Sequence, residues 1–342
     1  MLHGHGDDGY RHSHKIVADF STNVWYGGEP AGLKDYVFRH WSAVNRYPEV
    51  LAERLAARVA AHHGLPFGQV LMSSGTTESI YLLAQAWAGR RTTIVTPAFA
   101  EYEDAARLHG HRLTFLPWQQ LAADQPLAAD VVFVCNPNNP TGSVLREPEV
   151  AALLARNPCT VFVLDEAFIE FTAVITTALP LLARFSNLVI MRSMTKAYAI
   201  PGLRLGYVLA SEALIARFTR GKAPWTVNAL AAAAGHFIFE HFDAVQPPTA
   251  RLLADRAAFA AQLTENEGLD ILPSHTHYFV GALRRGTAAD LRTWLLTRHG
   301  LLIRDAANFR SLVPAHFRLC TRPAADNQLL INALRKWTAL PV

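Results

Sequence analysis

From about residue 50 to residue 210, short apolar runs alternate with stretches of helical periodicity. LAERLAARVAAHHG, at 51–64, gathers its apolar residues on one face and closes on Gly64, a helix-stop signal. VLMSSG, at 70–75, predicts a strand running into a turn. TTESIYLLAQAWAG, at 76–89, opens on hydroxyl residues and brings Ile80, Leu83 and Trp87 to one side, which predicts a helix. TTIVTP, RLTFLP, VVFVCNP, TVFVLDEA, LVIMRS and LRLGYVLA then read as strands, most of them separated by helical spacing. Unbroken apolar strands joined by helices predict a parallel sheet covered on both faces.

Beyond about residue 225 the pattern changes. One long helical stretch is followed by short strands near HYFVGAL, LLIRDA and FRLCTR, with a Pro-Pro break at 247–248. The expected class is α/β, with a polar arm over 1–30, a large domain over 31–225 and a smaller α+β domain over 226–342.

Composition narrows the classes. Hydrophobic residues make up 51% of the 342, charged residues 18%, and the formal net charge is +4, without a Lys/Arg cluster of the kind that binds nucleic acid. The longest apolar stretch, around ALAAAAGHFIF, is interrupted by a histidine and too short to cross a bilayer. Three cysteines with no CxxC suggest free thiols in a reducing compartment, and the polar N-terminus is unlike a signal peptide, so a cytoplasmic protein is expected. Histidines 3, 5, 12 and 14 match no zinc spacing, and no metal site is expected.

In open α/β sheets, ligand-handling residues gather at the carboxyl ends of strands. Those ends carry Ser74-Gly75-Thr76, Asn139, Asp165 and Ser193 to Lys196. Lys196 lies in RSMTKAYAIPGLRLGY, directly after an apolar run and between hydroxyls. A lysine amine can form a Schiff base with an aldehyde cofactor, of which pyridoxal phosphate is the commonest. That cofactor needs an acid facing its ring nitrogen, a donor to its ring hydroxyl and a phosphate cradle. Asp165 is the candidate acid and Asn139 the candidate donor. Gly75, Thr76 and Thr77 at a helix start, with Ser193, Thr195 and Arg204, are candidates for the cradle. Each of these alone is an ordinary turn, cap or surface charge; the argument is their joint order at successive strand ends.

NPNNPTG, LDEAF, RSMTKAYAIPGLRLGY and SSGTTES together resemble the fold-type I pyridoxal-phosphate enzymes, in the branch that includes the histidinol-phosphate aminotransferases. The likeness covers essentially the whole chain. It implies a large domain with a mostly parallel sheet and a smaller α+β domain, with Lys196 carrying the cofactor and Phe99, in TPAFAEY, stacking on its ring. It also implies that Tyr47, in NRYPE, reaches the cofactor phosphate of a partner subunit, hence a homodimer with shared sites.

Within that branch, DFSTN, HGDD, TPAFAEY, DEAFIEF and LLIRDAANF resemble the threonine-phosphate decarboxylase family. Phe168 stands where the aminotransferases carry a tyrosine that donates to the ring hydroxyl. VWYGG, after DFSTN, departs from that family's usual Asn-Pro-Leu-Gly-like turn, and the arm HGHGDDGYRHSH from its plain His-Gly.

The resemblance implies decarboxylation of O-phospho-L-threonine to an aminopropanol phosphate, a step of cobalamin biosynthesis. Arg304, Arg318, Asn23, Asn139 and the His5-Gly6 arm would bind substrate, and Lys196 would reprotonate Cα. The choice between breaking Cα–H and Cα–carboxylate is one of positioning. Histidinol-phosphate aminotransferase is the alternative. A non-catalytic cofactor-binding regulator is disfavoured, because no helix-turn-helix region precedes residue 50.

Overall fold

A computed structural model describes residues 8–11, 15–121 and 127–340. In chain order the elements are β1 (Ala18–Asp19), α1 (Leu33–Arg39), α2 (Glu53–His63), β2 (Val70–Ser73), α3 (Gly75–Ala86), β3 (Arg91–Thr96), α4 (Glu101–Leu108), β4 (Arg112–Pro117), β5 (Val131–Cys135), α5 (Glu147–Arg156), β6 (Val161–Asp165), β7 (Leu188–Ser193) and β8 (Gly206–Ala210). There follow α6 (Glu212–Thr219), α7 (Ala229–Glu240), α8 (Thr249–Thr264), β9 (Leu269–Ile271), β10 (Tyr278–Leu283), α9 (Ala288–His299), β11 (Leu301–Leu302), β12 (Arg304–Asp305), β13 (His316–Cys320) and α10 (Ala324–Thr338).

Seven strands form one sheet in the order β2-β8-β7-β6-β5-β3-β4. The pairs from β7 through β6, β5 and β3 to β4 are parallel. β8 runs antiparallel to both β7 and β2, so the sheet is mixed at that end. In sequence LRLGYVLA looks like the other apolar runs. Its reversal follows from the connection before it, which holds only a short 3-10 turn at Pro201–Leu203 in place of a crossover helix.

Both faces of the sheet are covered. Leu164 and Ile190 pack with α2 and α7 residues such as Leu55 and Ile238. Val163, Val189 and Met191 pack on the opposite face with Ile80, Leu83 and Tyr102 of α3 and α4. By the twofold alternation of a strand, Asp165 continues the Val163 face and emerges on the α3–α4 side.

The second sheet, β12-β13-β10-β9, is antiparallel throughout. Its core includes Phe20, Phe259, Phe279, Leu291, Phe317 and Leu330. β1 pairs in parallel with β11. Residues 18–20, read from sequence as arm, are therefore built into this smaller core. Conversely, α7 packs against α1 and α2, and Ala231, Ala234 and Ile238 join the large-sheet core. Its alanine-rich sequence has almost no polar face to show which side it buries. Among the described residues, no helix is long and apolar enough to cross a membrane.

Candidate active site

The carboxyl ends of β5, β6 and β7 and the start of α3 open into one cleft of about 250 Å³, closed on the far side by Ser21 to Val24 and by Arg318 of β13. Thr76, Thr77, Phe99, Asn139, Asp165, Ser193, Thr195, Lys196, Arg204, Asn23 and Arg318 all line it. Residues up to 297 positions apart in sequence meet there because strand order brings the ends together.

Asp165 ends β6, 4% exposed. Its Oδ1 accepts the Ala167 N–H at 2.9 Å and its Oδ2 accepts the Tyr102 hydroxyl at 2.6 Å. Burial pushes its pKa up to about 6, against the pull of Tyr102, the Ala167 N–H and the Lys196 charge. A carboxylate so placed is served by a cationic partner in the cleft. Lys196 follows β7, and its carbonyl accepts N–H groups from Trp25 at 3.0 Å and Ala199 at 3.3 Å, which fixes the backbone that carries the amine.

The start of α3 is shaped for an anion. Gly75 has φ +77, and a Cβ there would run into the Arg204 guanidinium. Arg204 is itself left-handed, at φ 60, and its Nη1 donates to the Pro201 carbonyl at 3.0 Å. Ser193 Oγ and Thr195 Oγ1 lie 2.8 Å apart beside it. Helix N–H groups, two hydroxyls and a guanidinium thus converge, a donor set that suits phosphate.

At the opposite end Arg318 lines the cleft, and Arg304 faces it from the next strand out. Arg304 of β12 and Arg318 of β13 are register partners across an antiparallel pair. Arg318 Nη1 donates to Asn139 Oδ1 at 2.7 Å, and Nη2 donates to the Ser21 carbonyl. Arg304 donates to the Asp305 carbonyl at 2.6 Å and to Asn308 Oδ1 at 2.7 Å, and it stands beside the Phe309 ring. Burial, and then the neighbouring Arg318 charge, lower the Arg304 pKa to about 9. All these acceptors are neutral oxygens, and no described carboxylate forms an ion pair with either guanidinium. Two buried like charges on facing strand positions are unfavourable until an anion joins them. Beside them, both amide atoms of buried Asn23 and the Nε of Arg318 have no hydrogen-bond partner among the described residues. The cleft therefore holds unsatisfied donors at its arginine end and a glycine-lined cradle at the other, features that fit a phosphate-bearing aldehyde cofactor and an anionic substrate.

Not every expected residue is gathered here. Arg304 does not line the cleft itself; it stands one strand further out, behind Arg318. Tyr47 is 83% exposed and packs on Trp225, ring centroids 5.0 Å apart, away from its own chain's cleft. His5 and Gly6 lie outside the described residues. Sequence reasoning missed Tyr102, although it stands three residues after Phe99 in TPAFAEY; helical spacing there was the available signal. It also assigned no role to Ser21 and Thr22, although both lie in DFSTN, nor to Cys135, and all three line the cleft. Phe168 lines it as well, edge-on to Tyr278, and offers no hydroxyl.

Comparison with known proteins gives a consistent picture. The family model described as aminotransferase class I and II matches residues 33–336. The chain is 36% identical over 333 residues to a threonine-phosphate decarboxylase of Salmonella typhimurium, covering 93% of this chain and 90% of that one. It is 32% identical over 302 residues to a histidinol-phosphate aminotransferase of Symbiobacterium thermophilum, covering 85% and 82%. The crystal structure of L-threonine-O-3-phosphate decarboxylase from Porphyromonas gingivalis superimposes with a TM-score of 0.91 at 35% identity, covering 94% of this chain and 99% of that one.

Proposed function

The chain belongs to the class I and II aminotransferase family, and on that footing we propose that it is a pyridoxal-phosphate-dependent decarboxylase of O-phospho-L-threonine. The products would be carbon dioxide and an aminopropanol phosphate. The observation that carries this reading is the facing pair Arg304 and Arg318, buried and, among the described residues, hydrogen-bonded to neutral oxygens alone, next to a cleft lined by Lys196 and Asp165. Two guanidiniums suit a substrate with two anionic groups, a carboxylate and a phosphate. Phe168 adds to this, since it offers no hydroxyl where the aminotransferases have one.

Pyridoxal phosphate would be held by Lys196 at its aldehyde carbon, Asp165 at its ring nitrogen, Asn139 at its ring hydroxyl and Phe99 at its face. Its phosphate would take the N–H groups of Thr76 and Thr77 and the side chains of Ser193, Thr195 and Arg204. When bound, the cofactor supplies an electron-withdrawing ring that takes up the electron pair left on Cα as the carboxyl carbon departs.

The chain's own residues do the rest. Asp165, kept ionised by the Tyr102 hydroxyl and the Ala167 N–H, holds positive charge at the ring nitrogen. Arg318 and Arg304 hold the substrate's anionic groups, which decides which Cα bond stands in the reactive orientation. Asn23 offers both an amide donor and an acceptor to the substrate. Lys196 Nζ carries the proton that returns to Cα.

The reading includes a homodimer with shared sites, in which Tyr47 serves the partner's cofactor phosphate. Exposed Phe38, Trp41, Tyr47 and Trp225 support a covered surface there. A cytoplasmic setting fits the three cysteines, all of them free.

The test is direct. With O-phospho-L-threonine, carbon dioxide release is expected; with histidinol phosphate and 2-oxoglutarate, no glutamate. Glutamate formation without carbon dioxide would make the chain an aminotransferase, and cofactor binding without either product would make it a non-catalytic regulator. Lys196→Ala is expected to abolish both turnover and the visible absorbance of the bound cofactor.

A further inference from the structure

Arg304 sits on weak support. β12 is an edge strand of two residues with two register partners on β13. Among the described residues the guanidinium is otherwise held by the Asp305 carbonyl of its own strand and, from the loop that follows, by Asn308 Oδ1 and the Phe309 ring. What holds that loop, residues 306–312, therefore decides where Arg304 stands. Arg318, by contrast, lies on β13 between two strands and is fixed by the sheet.

The loop is tied to the large sheet by its next two residues. Arg310 makes a fork on Glu103, with Nη2 at 2.8 and 3.0 Å from the two carboxylate oxygens and Nε at 3.1 Å from Oε2. The same guanidinium lies 3.7 Å from the centre of the Phe115 ring on β4. Ser311, left-handed at φ 75, brings its hydroxyl to 3.0 Å from Thr96 Oγ1 at the end of β3. A lone exposed ion pair holds little. A fork, an aromatic face and a hydroxyl pair acting on two successive residues fix a position.

Glu103 is also placed where it matters. It is the residue after Tyr102, whose hydroxyl holds Asp165. The first turn of α4 thus grips both ends of the cleft: Tyr102 reaches the acid, and Glu103 reaches, through Arg310, the loop that seats Arg304.

We propose that Glu103 and Arg310 form a positioning pair whose clasp sets where Arg304 stands relative to the Lys196–Asp165 end of the cleft, and so sets the affinity for a phosphorylated amino acid. The substrate class rests on the function proposed above; the clasp itself does not. Neither residue touches the reacting atoms.

Glu103→Gln and Arg310→Ala are each expected to raise KM for O-phospho-L-threonine about fivefold, the equivalent of about 1 kcal/mol, with kcat within about twofold. The double variant should be no worse than either single, because both break one contact. The exchanged pair Glu103→Arg with Arg310→Glu should recover part of the loss. Arg107→Ala is the control: Arg107 also pairs with Glu103, at 2.7 Å, but touches nothing on the loop, so KM should not move.

Two readouts do not need turnover. Inorganic phosphate titrated into the holoenzyme by calorimetry should bind about fivefold more weakly to the two single variants. The amides of Phe309 and Leu312, each bonded within the loop at 3.0 Å, should exchange hydrogen about tenfold faster in them but not in Arg107→Ala. Unchanged exchange and unchanged phosphate affinity would overturn the clasp. So would an Arg107→Ala effect of the same size, or a double variant whose loss is the product of the singles. Failure of the wild-type enzyme to release carbon dioxide would overturn the proposed reaction and leave these two readouts to judge the clasp.

Discussion

Asp165 occupies a setting that opposes its own charge, and this has a measurable consequence. Burial moves its pKa from the ordinary 3.8 to about 6. The folded chain then binds that proton more tightly than the unfolded chain, so the cofactor-free protein loses stability as pH rises from 3.8 to about 6 and stays at the lower level above. The loss amounts to about 3 kcal/mol. Asp165→Asn removes it, so urea unfolding of the two cofactor-free proteins should converge at pH 4 and diverge at pH 7, with the variant more stable. Tyr102→Phe deletes a donor that favours the ionised form, and its stability should go on falling to a higher pH than in the wild type. Asp165 was legible because an acid after an apolar strand is a local signal. For Tyr102 the spacing from Phe99 was the one local signal, and only the folded contact with Asp165 shows where its hydroxyl goes.

Among the elements, the start of α3 is the most constrained. Gly75 combines a left-handed backbone with the approach of Arg204, so any side chain is both strained and in collision. Gly75→Ala is expected to cost about 1–2 kcal/mol in urea unfolding of the cofactor-free protein. It should also weaken cofactor binding, read as the dissociation constant for added pyridoxal phosphate, by displacing Arg204. The glycine and the hydroxyls after it were visible as a helix start in the sequence. The register of β12 on β13 was not. It is fixed by the packing of Phe317 and its neighbours in the smaller core, and that packing alone puts one arginine opposite the other. The reversal of β8 has a similar origin, since one apolar strand reads like the next whichever way it runs.

For the molecule as a whole, the proposed shared sites make a prediction that no single chain can satisfy. Lys196→Ala and Tyr47→Ala subunits, each impaired alone, should regain activity when unfolded together and refolded. Random pairing makes half the dimers mixed, and each mixed dimer holds one intact site, so about a quarter of wild-type turnover is expected. No recovery, or a monomer by sedimentation, would remove Tyr47 from the site. The exposure of Phe38 and Trp41 was hidden in the sequence, because a large apolar residue in a helical stretch reads as core, whereas Tyr47 was named through the family resemblance.

The sequence by itself determined the class of the fold and the order in which chemical groups meet the strand ends. Both follow from local periodicity and from residue types that turns and helix starts demand. The tertiary structure decided which groups face one another: Tyr102 on Asp165, Arg304 across from Arg318, Glu103 on Arg310, α7 against α1 and α2. Those contacts arise from burial of apolar faces between elements far apart along the chain. That energy is proportional to area and has no sequence period of its own, so nothing short of the packed molecule reveals its partners.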